Sequence, residues 1–98
     1  IGALSPAFIL YTQSVWNTYL MSKDFTGDTP RIYFYCGNGS SDQLEQALYP
    51  NANAMQGWMT NLGYPSSKMT TVTDAEAIHN EGFWAVYFPE MLSFCLDL

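Results

Sequence analysis

The chain has 98 residues, with 3 Lys+Arg against 9 Asp+Glu, a formal net charge of −6 and 48% hydrophobic residues. That length holds one small domain or a piece of a larger one, and that apolar content excludes an intrinsically disordered chain. Three basic residues cannot track a phosphate backbone or dock on anionic lipid, and no apolar run approaches the roughly 18–20 residues of a membrane span, so neither nucleic-acid binding nor a transmembrane helix is expected.

Residues 1–4 read as a short apolar strand, broken by Ser5-Pro6. The chain opens on this run without Met or the basic start of a signal peptide, and a segment upstream is expected. Tyr11, Val15, Trp16, Tyr19 and Leu20 lie at offsets of 4, 5, 8 and 9, the stripe of an amphipathic helix. Residues 23–30 form a polar, turn-forming loop. Arg31-Ile32-Tyr33-Phe34-Tyr35 is β-branched and aromatic between Pro30 and Gly37, a strand whose unbroken apolarity predicts burial on both faces.

A glycine-bearing loop follows at residues 36–42. Leu44, Ala47, Leu48, Met55, Trp58, Met59 and Leu62 then resume helical spacing. Pro50 suits a helix start and not an interior, which predicts a short turn over 43–49 and a main helix over 50–62, capped by Gly63 and stopped by Pro65. Residues 68–73 form another strand, and residues 83–96 an amphipathic helix split at Pro89. In that helix Trp84 and Tyr87 are expected to pack on the sheet.

Strands alternating with helices imply a parallel sheet with helices on its faces, an α/β fold. Such sheets carry their chemistry in the loops beyond the C-terminal ends of the strands, here residues 36–42 and 74–81. The second loop holds the chain's single histidine, His79, and the first ends in Asp42 with Glu45 close behind. An acid after one strand and a histidine after the next is the chain order of the last two members of an α/β-hydrolase triad. The histidine takes the nucleophile's proton, and the acid holds the imidazole tautomer. The competing structural roles are a packed histidine at His79 and a helix cap at Asp42.

Other constellations carry less. Cys36 and Cys95 are too few for a disulfide scaffold and read as buried free thiols. Together with one histidine they make no zinc pattern. Asp42, Glu45 and Glu76 fit no calcium loop, and residues 37–41 are neither a dinucleotide fingerprint nor a phosphate loop, so no metal and no cofactor is expected. No Gly-x-Ser-x-Gly elbow occurs, and Ser5, Ser40 and Ser41 read as turn hydroxyls.

Ile32-Tyr33-Phe34-Tyr35-Cys36-Gly37, Leu62-Gly63-Tyr64-Pro65, and above all His79-Asn80-Glu81-Gly82-Phe83-Trp84 followed by Phe88-Pro89-Glu90 carry a resemblance. They are similar to the C-terminal end of the esterase D-like, feruloyl-esterase-like and enterochelin-esterase-like group of α/β hydrolases. Gly2-Ala3-Leu4-Ser5-Pro6-Ala7-Phe8 resembles the segment that follows that group's nucleophile-bearing helix and its next strand. The resemblance implies that residues 1–98 are the C-terminal portion of an α/β-hydrolase domain, a single domain or fragment with three αβα layers. It implies His79 as the catalytic histidine and Asp42 as the nearest match to the catalytic acid. The group places its acid sooner after the glycine, where this chain has Asn38, Gly39 and Ser40, which keeps Glu45 as a second candidate. The group also favours glycine before the histidine, where Ala77 and Ile78 stand.

The implied function is the base-bearing portion of a serine carboxylic-ester hydrolase acting on a small-molecule ester, such as an acylated sugar or an aromatic ester. Its partner is then the N-terminal hydrolase portion that holds the serine, or another copy meeting the exposed sheet edges. The alternatives are a non-catalytic binding or structural module derived from a hydrolase fold, and a free-standing flavodoxin-like or receiver-like domain.

Overall fold

The most apolar run of the sequence forms the middle of the sheet. The computed structural model describes residues 1–98, the side chain of Ile9 excepted. In it β2 (Ile32–Gly37) lies between β1 (Gly2–Leu4) and β3 (Met69–Asp74), and both neighbours run parallel to it. Gly2 is in register with Tyr33, Ile32 with Met69 and Gly37 with Asp74. Ile32, Phe34 and Cys36 face one side, Tyr33 and Tyr35 the other, and all five are buried. A strand covered on both faces has no polar alternation to show, which explains its composition.

Helices cover both faces. Leu20 of α1 (Gln13–Met21) and Leu48, Ala52 and Met55 of α3 (Leu48–Asn61) close over Ile32, Phe34 and Cys36. On the other face Met91, Phe83, Trp84, Tyr87 and Phe94 of α4 (Glu81–Cys95) close over Tyr33 and Tyr35. Tyr87 stacks on Tyr35 with ring centroids 4.3 Å apart. The result is an α/β fold of three layers built on a parallel sheet, as the alternation of elements predicts.

Helix ends follow local chemistry. Asp42 caps the short α2 (Gln43–Gln46), Thr12 caps α1 and Asn80 caps α4. Pro50 sits in the first turn of α3, where an N–H has no helical acceptor to lose. At its far end Gly63 takes φ 106°, Tyr64 N–H donates to Met59 O at 3.0 Å and Gly63 N–H to Thr60 O at 3.1 Å, a Schellman closure.

Three expectations are corrected. Pro89 does not split α4, which runs unbroken across it. An interior proline costs about 3 kcal/mol, but α4 is held to the sheet on both sides of the proline by the buried Met91 and by partly buried aromatics. Phe83, Trp84 and Tyr87 anchor the first half; Met91 and Phe94 anchor the second, with Tyr33 Oη donating to Glu90 and Arg31 Nε donating to Phe94 O at 2.6 Å. The α1 stripe is real in spacing, yet only Leu20 is buried, while Tyr11, Val15 and Tyr19 stay exposed. The helix lies against the edge of the sheet, where β1 is three residues long and offers little surface to cover. Cys36 is a buried free thiol, but Cys95 is only half-buried, in the last turn of α4 with Sγ 3.2 Å from Ile1 O. The two sulfurs belong to clusters on opposite faces of the sheet.

The loops after β2 and β3 are stitched together. Asn38 N–H donates to Asp74 O and Gly39 N–H to Ala77 O, both at 2.8 Å. A Cβ on Gly39 would stand 2.6 Å from the Glu76 carbonyl carbon, and one on Gly37 would strike Ala77 O. Both glycines therefore serve the close approach of two backbones. Gly39→Ala is expected to cost about 1–3 kcal/mol by overpacking. Gly57→Ala, on an exposed turn of α3 with open space around it, is expected to gain roughly 0.5–1 kcal/mol. Urea unfolding midpoints check the pair, and a Gly39→Ala chain as stable as the parent would contradict the stitched-loop account.

Candidate functional site at the ends of β2 and β3

The strand β3 ends on Asp74, whose carboxylate organises the loop that follows. Its Oδ1 accepts from Glu76 N–H at 2.9 Å and its Oδ2 accepts from Tyr87 Oη at 2.8 Å. These donors, Glu76 N–H foremost and Tyr87 next, hold the Asp74 carboxyl below its ordinary value of 3.8. The same bond raises the Tyr87 phenol. Ala77 is then pressed into the core with no exposed surface, and the chain turns outward through Ile78 and His79 to the Asn80 cap of α4.

His79 is exposed, and its ring meets that of Trp84 edge-on, with centroids 5.1 Å apart at 85°. Trp84 Nε1 donates to Ser5 Oγ at 2.9 Å. Ser5 terminates β1 in the left-handed region, φ 55°, and its N–H donates to Tyr35 O at 2.6 Å.

In the loop after β2, Ser40 Oγ donates to Glu45 Oε2 at 2.6 Å and accepts from Asp42 N–H at 3.0 Å. Asp42 Oδ1 accepts from Leu44 N–H at 2.9 Å and Glu45 N–H at 3.1 Å, which makes it the helix cap that its position allows. Glu45, one turn later, faces a cavity of about 240 Å³. Ala7, Leu10, Leu44, Leu48, Glu45 and His79 line it, with an almost wholly apolar surface.

Of the three candidates, His79 and Glu45 share one cavity, whereas Asp42 is not among its lining residues. Among the described residues no hydrogen bond joins His79 to either acid. Cys36 has no exposed surface, and burial pushes its thiol up to about 12, which disfavours the thiolate that a nucleophile needs. Among the described residues no group of three or more His, Cys, Asp and Glu is placed to hold a metal ion, and no helix is long and apolar enough to cross a membrane.

Sequence reasoning missed the place of Ser5. The Ser-Pro break announces a turn, but only the fold brings that hydroxyl to an indole 79 positions away. It also missed Asp74, which ends the strand as its last residue instead of opening the loop. Comparison of the chain with protein-family models, curated proteins and solved structures finds no match in any of the three.

The Asp74 carboxyl is held low only in the folded chain, so its contribution to stability is fully present above the ordinary aspartate value and lost as pH falls through the lower folded one. Asp74→Asn lacks that dependence. The stability difference between parent and variant is therefore expected to be flat above about pH 5 and to shrink below about pH 4. Thermal melts across that range check it, and a difference that grows on acidification would contradict it.

Proposed function

We propose that this chain carries the general base and its acid partner of a serine carboxylic-ester hydrolase. The observation that supports the reading is the convergence of His79 and Glu45, from the loops after β3 and β2, on one apolar cavity at the C-terminal end of a parallel sheet. In this reading His79 takes the proton of a serine hydroxyl as its oxygen bonds to the ester carbonyl carbon. It returns that proton to the departing alcohol as the carbon–oxygen bond breaks, and then activates water against the acyl-serine. Glu45 stabilises the charge that the imidazole gains. Asp42 keeps its capping role.

The serine must come from a Gly-x-Ser-x-Gly elbow, which these residues do not contain. The free side of β1 accords with a further strand there. Ile1 O accepts from Tyr33 N–H and Ser5 N–H donates to Tyr35 O, so the backbone groups of Gly2 and Leu4 turn away from β2. Leu10, Val15 and Tyr19 are exposed as well. The substrate that fits is an ester with an apolar group of modest size beside His79. Six net negative charges disfavour an anionic one.

A non-catalytic module derived from a hydrolase fold is the second reading, favoured by the missing elbow. Ester hydrolysis by the full encoded polypeptide separates the two. His79→Ala is expected to lower turnover about 10²- to 10⁴-fold. Glu45→Gln is expected to lower it as well, while Asp42→Asn leaves it near the parent rate. Undiminished turnover in His79→Ala refutes the hydrolase reading, and no turnover in the parent supports the second.

A further inference from the structure

The Trp84 indole meets the imidazole five positions before it and a hydroxyl 79 positions before it. Ser5 closes β1, Trp84 lies in the first turn of α4, and His79 ends the loop between β3 and α4. We infer that Ser5 and Trp84 are a positioning pair that fixes the orientation of the His79 ring. The inference rests on the proposed role of His79 for its functional meaning, and on geometry alone for its physical content.

His79 makes no side-chain hydrogen bond among the described residues, so its ring is oriented by packing. Its described ring contact is the perpendicular one with Trp84, 5.1 Å between centroids. Perpendicular contact between rings of this kind is directional, because the electron-rich face of one attracts the positive edge of the other. The indole must therefore be held still for the imidazole to be held. Its Nε1–H donates to Ser5 Oγ at 2.9 Å, in a part-buried place where a flipped indole would leave that donor unmatched. Ser5 in turn is rigid. It is buried, its N–H is tied to Tyr35 O, and Pro6 follows it.

The backbone at Ser5 supports the same conclusion. A φ of 55° is uncommon for a residue with a Cβ, and glycine adopts it more readily. A serine there has a strained backbone and a placed hydroxyl, and the hydroxyl's partner is the indole. Conformational cost kept at a site is a reason to look for what it positions. Ser5 does not act on substrate in this account; it acts through Trp84.

His79 is the chain's single histidine, so its Cε1–H and Cδ2–H resonances are unambiguous in a proton–carbon NMR spectrum of the protein. Ser5→Gly removes Oγ and relaxes the backbone. Trp84→Phe keeps an aromatic ring and removes the indole N–H. Ser5→Gly is expected to move the indole N–H resonance and, with it, the His79 ring protons toward their unfolded-chain positions. In the Trp84→Phe background Ser5→Gly is expected to add no further movement at His79, because phenylalanine offers Oγ no donor. A merely structural role for Ser5 would lower the melting temperature without that background dependence.

The inference is overturned if Ser5→Gly moves the indole resonance and leaves His79 where it was. It is overturned equally if the indole is unmoved, or if the two substitutions act additively on His79. Parent protein alone provides a check that needs no variant: the Trp84 indole N–H must exchange slowly with solvent and show nuclear Overhauser contacts between the two rings, and fast exchange without such contacts refutes the pair. Undiminished turnover in His79→Ala would remove the hydrolase reading and leave these ring resonances unchanged as a measure of the positioning pair.

Discussion

The burial of β2 on both faces is the constraint on which the rest of the structure depends. Five consecutive residues, Ile32 to Cys36, are each less than a tenth exposed, and no other element of the chain is covered this completely. Parallel partners at each edge fix the register, and each face needs a helical layer of its own. One face is aliphatic and aromatic against α1 and α3. The other is two tyrosines under α4, where burial raises both phenols, Tyr35 to about 12, and Tyr35 stacks on Tyr87, whose hydroxyl donates to the Asp74 carboxylate. Because β2 and β3 end together at Gly37 and Asp74, the loops that leave them start side by side. The backbone bonds from Asn38 and Gly39 then join them into one surface.

Two carboxylates three residues apart meet different fates on that surface. Asp42 lies where a helix must begin, and two free N–H groups of α2 bind its Oδ1. Glu45 is three residues further on, its carboxylate accepts from Ser40 Oγ, and its side chain lines the cavity that His79 borders.

Much of the fold was legible in the sequence because it is written in local terms. The β-branched and aromatic run of β2, the proline in the first turn of α3, the glycine at its end and the alternation of strand with helix each have a short-range cause. What was not legible depended on distant partners. The continuity of α4 through Pro89 comes from anchors on Tyr33, Tyr35 and Arg31, fifty or more positions earlier in the chain. Of α1, only Leu20 and Trp16 reach the cluster over Ile32 and Phe34, and the rest of its stripe stays exposed. At the site, spacing singled out His79, Asp42 and Glu45 but could not say which acid shares its cavity, because a cap and a catalytic carboxylate have the same residue type. Nor could it show Ser5 as the partner of the indole beside the imidazole, since that bond exists only once β1 and α4 have packed.

On the proposed reading the two loops exist to hold a base and an acid against a serine that the elbow motif would present. Labelling of the full encoded polypeptide with a fluorophosphonate, followed by mass mapping of the modified peptide, tests that claim most directly. The account predicts one labelled serine, within a Gly-x-Ser-x-Gly elbow that precedes these residues, and labelling that is strongly slowed in His79→Ala. No labelled serine, or labelling at a rate indifferent to His79, would contradict it.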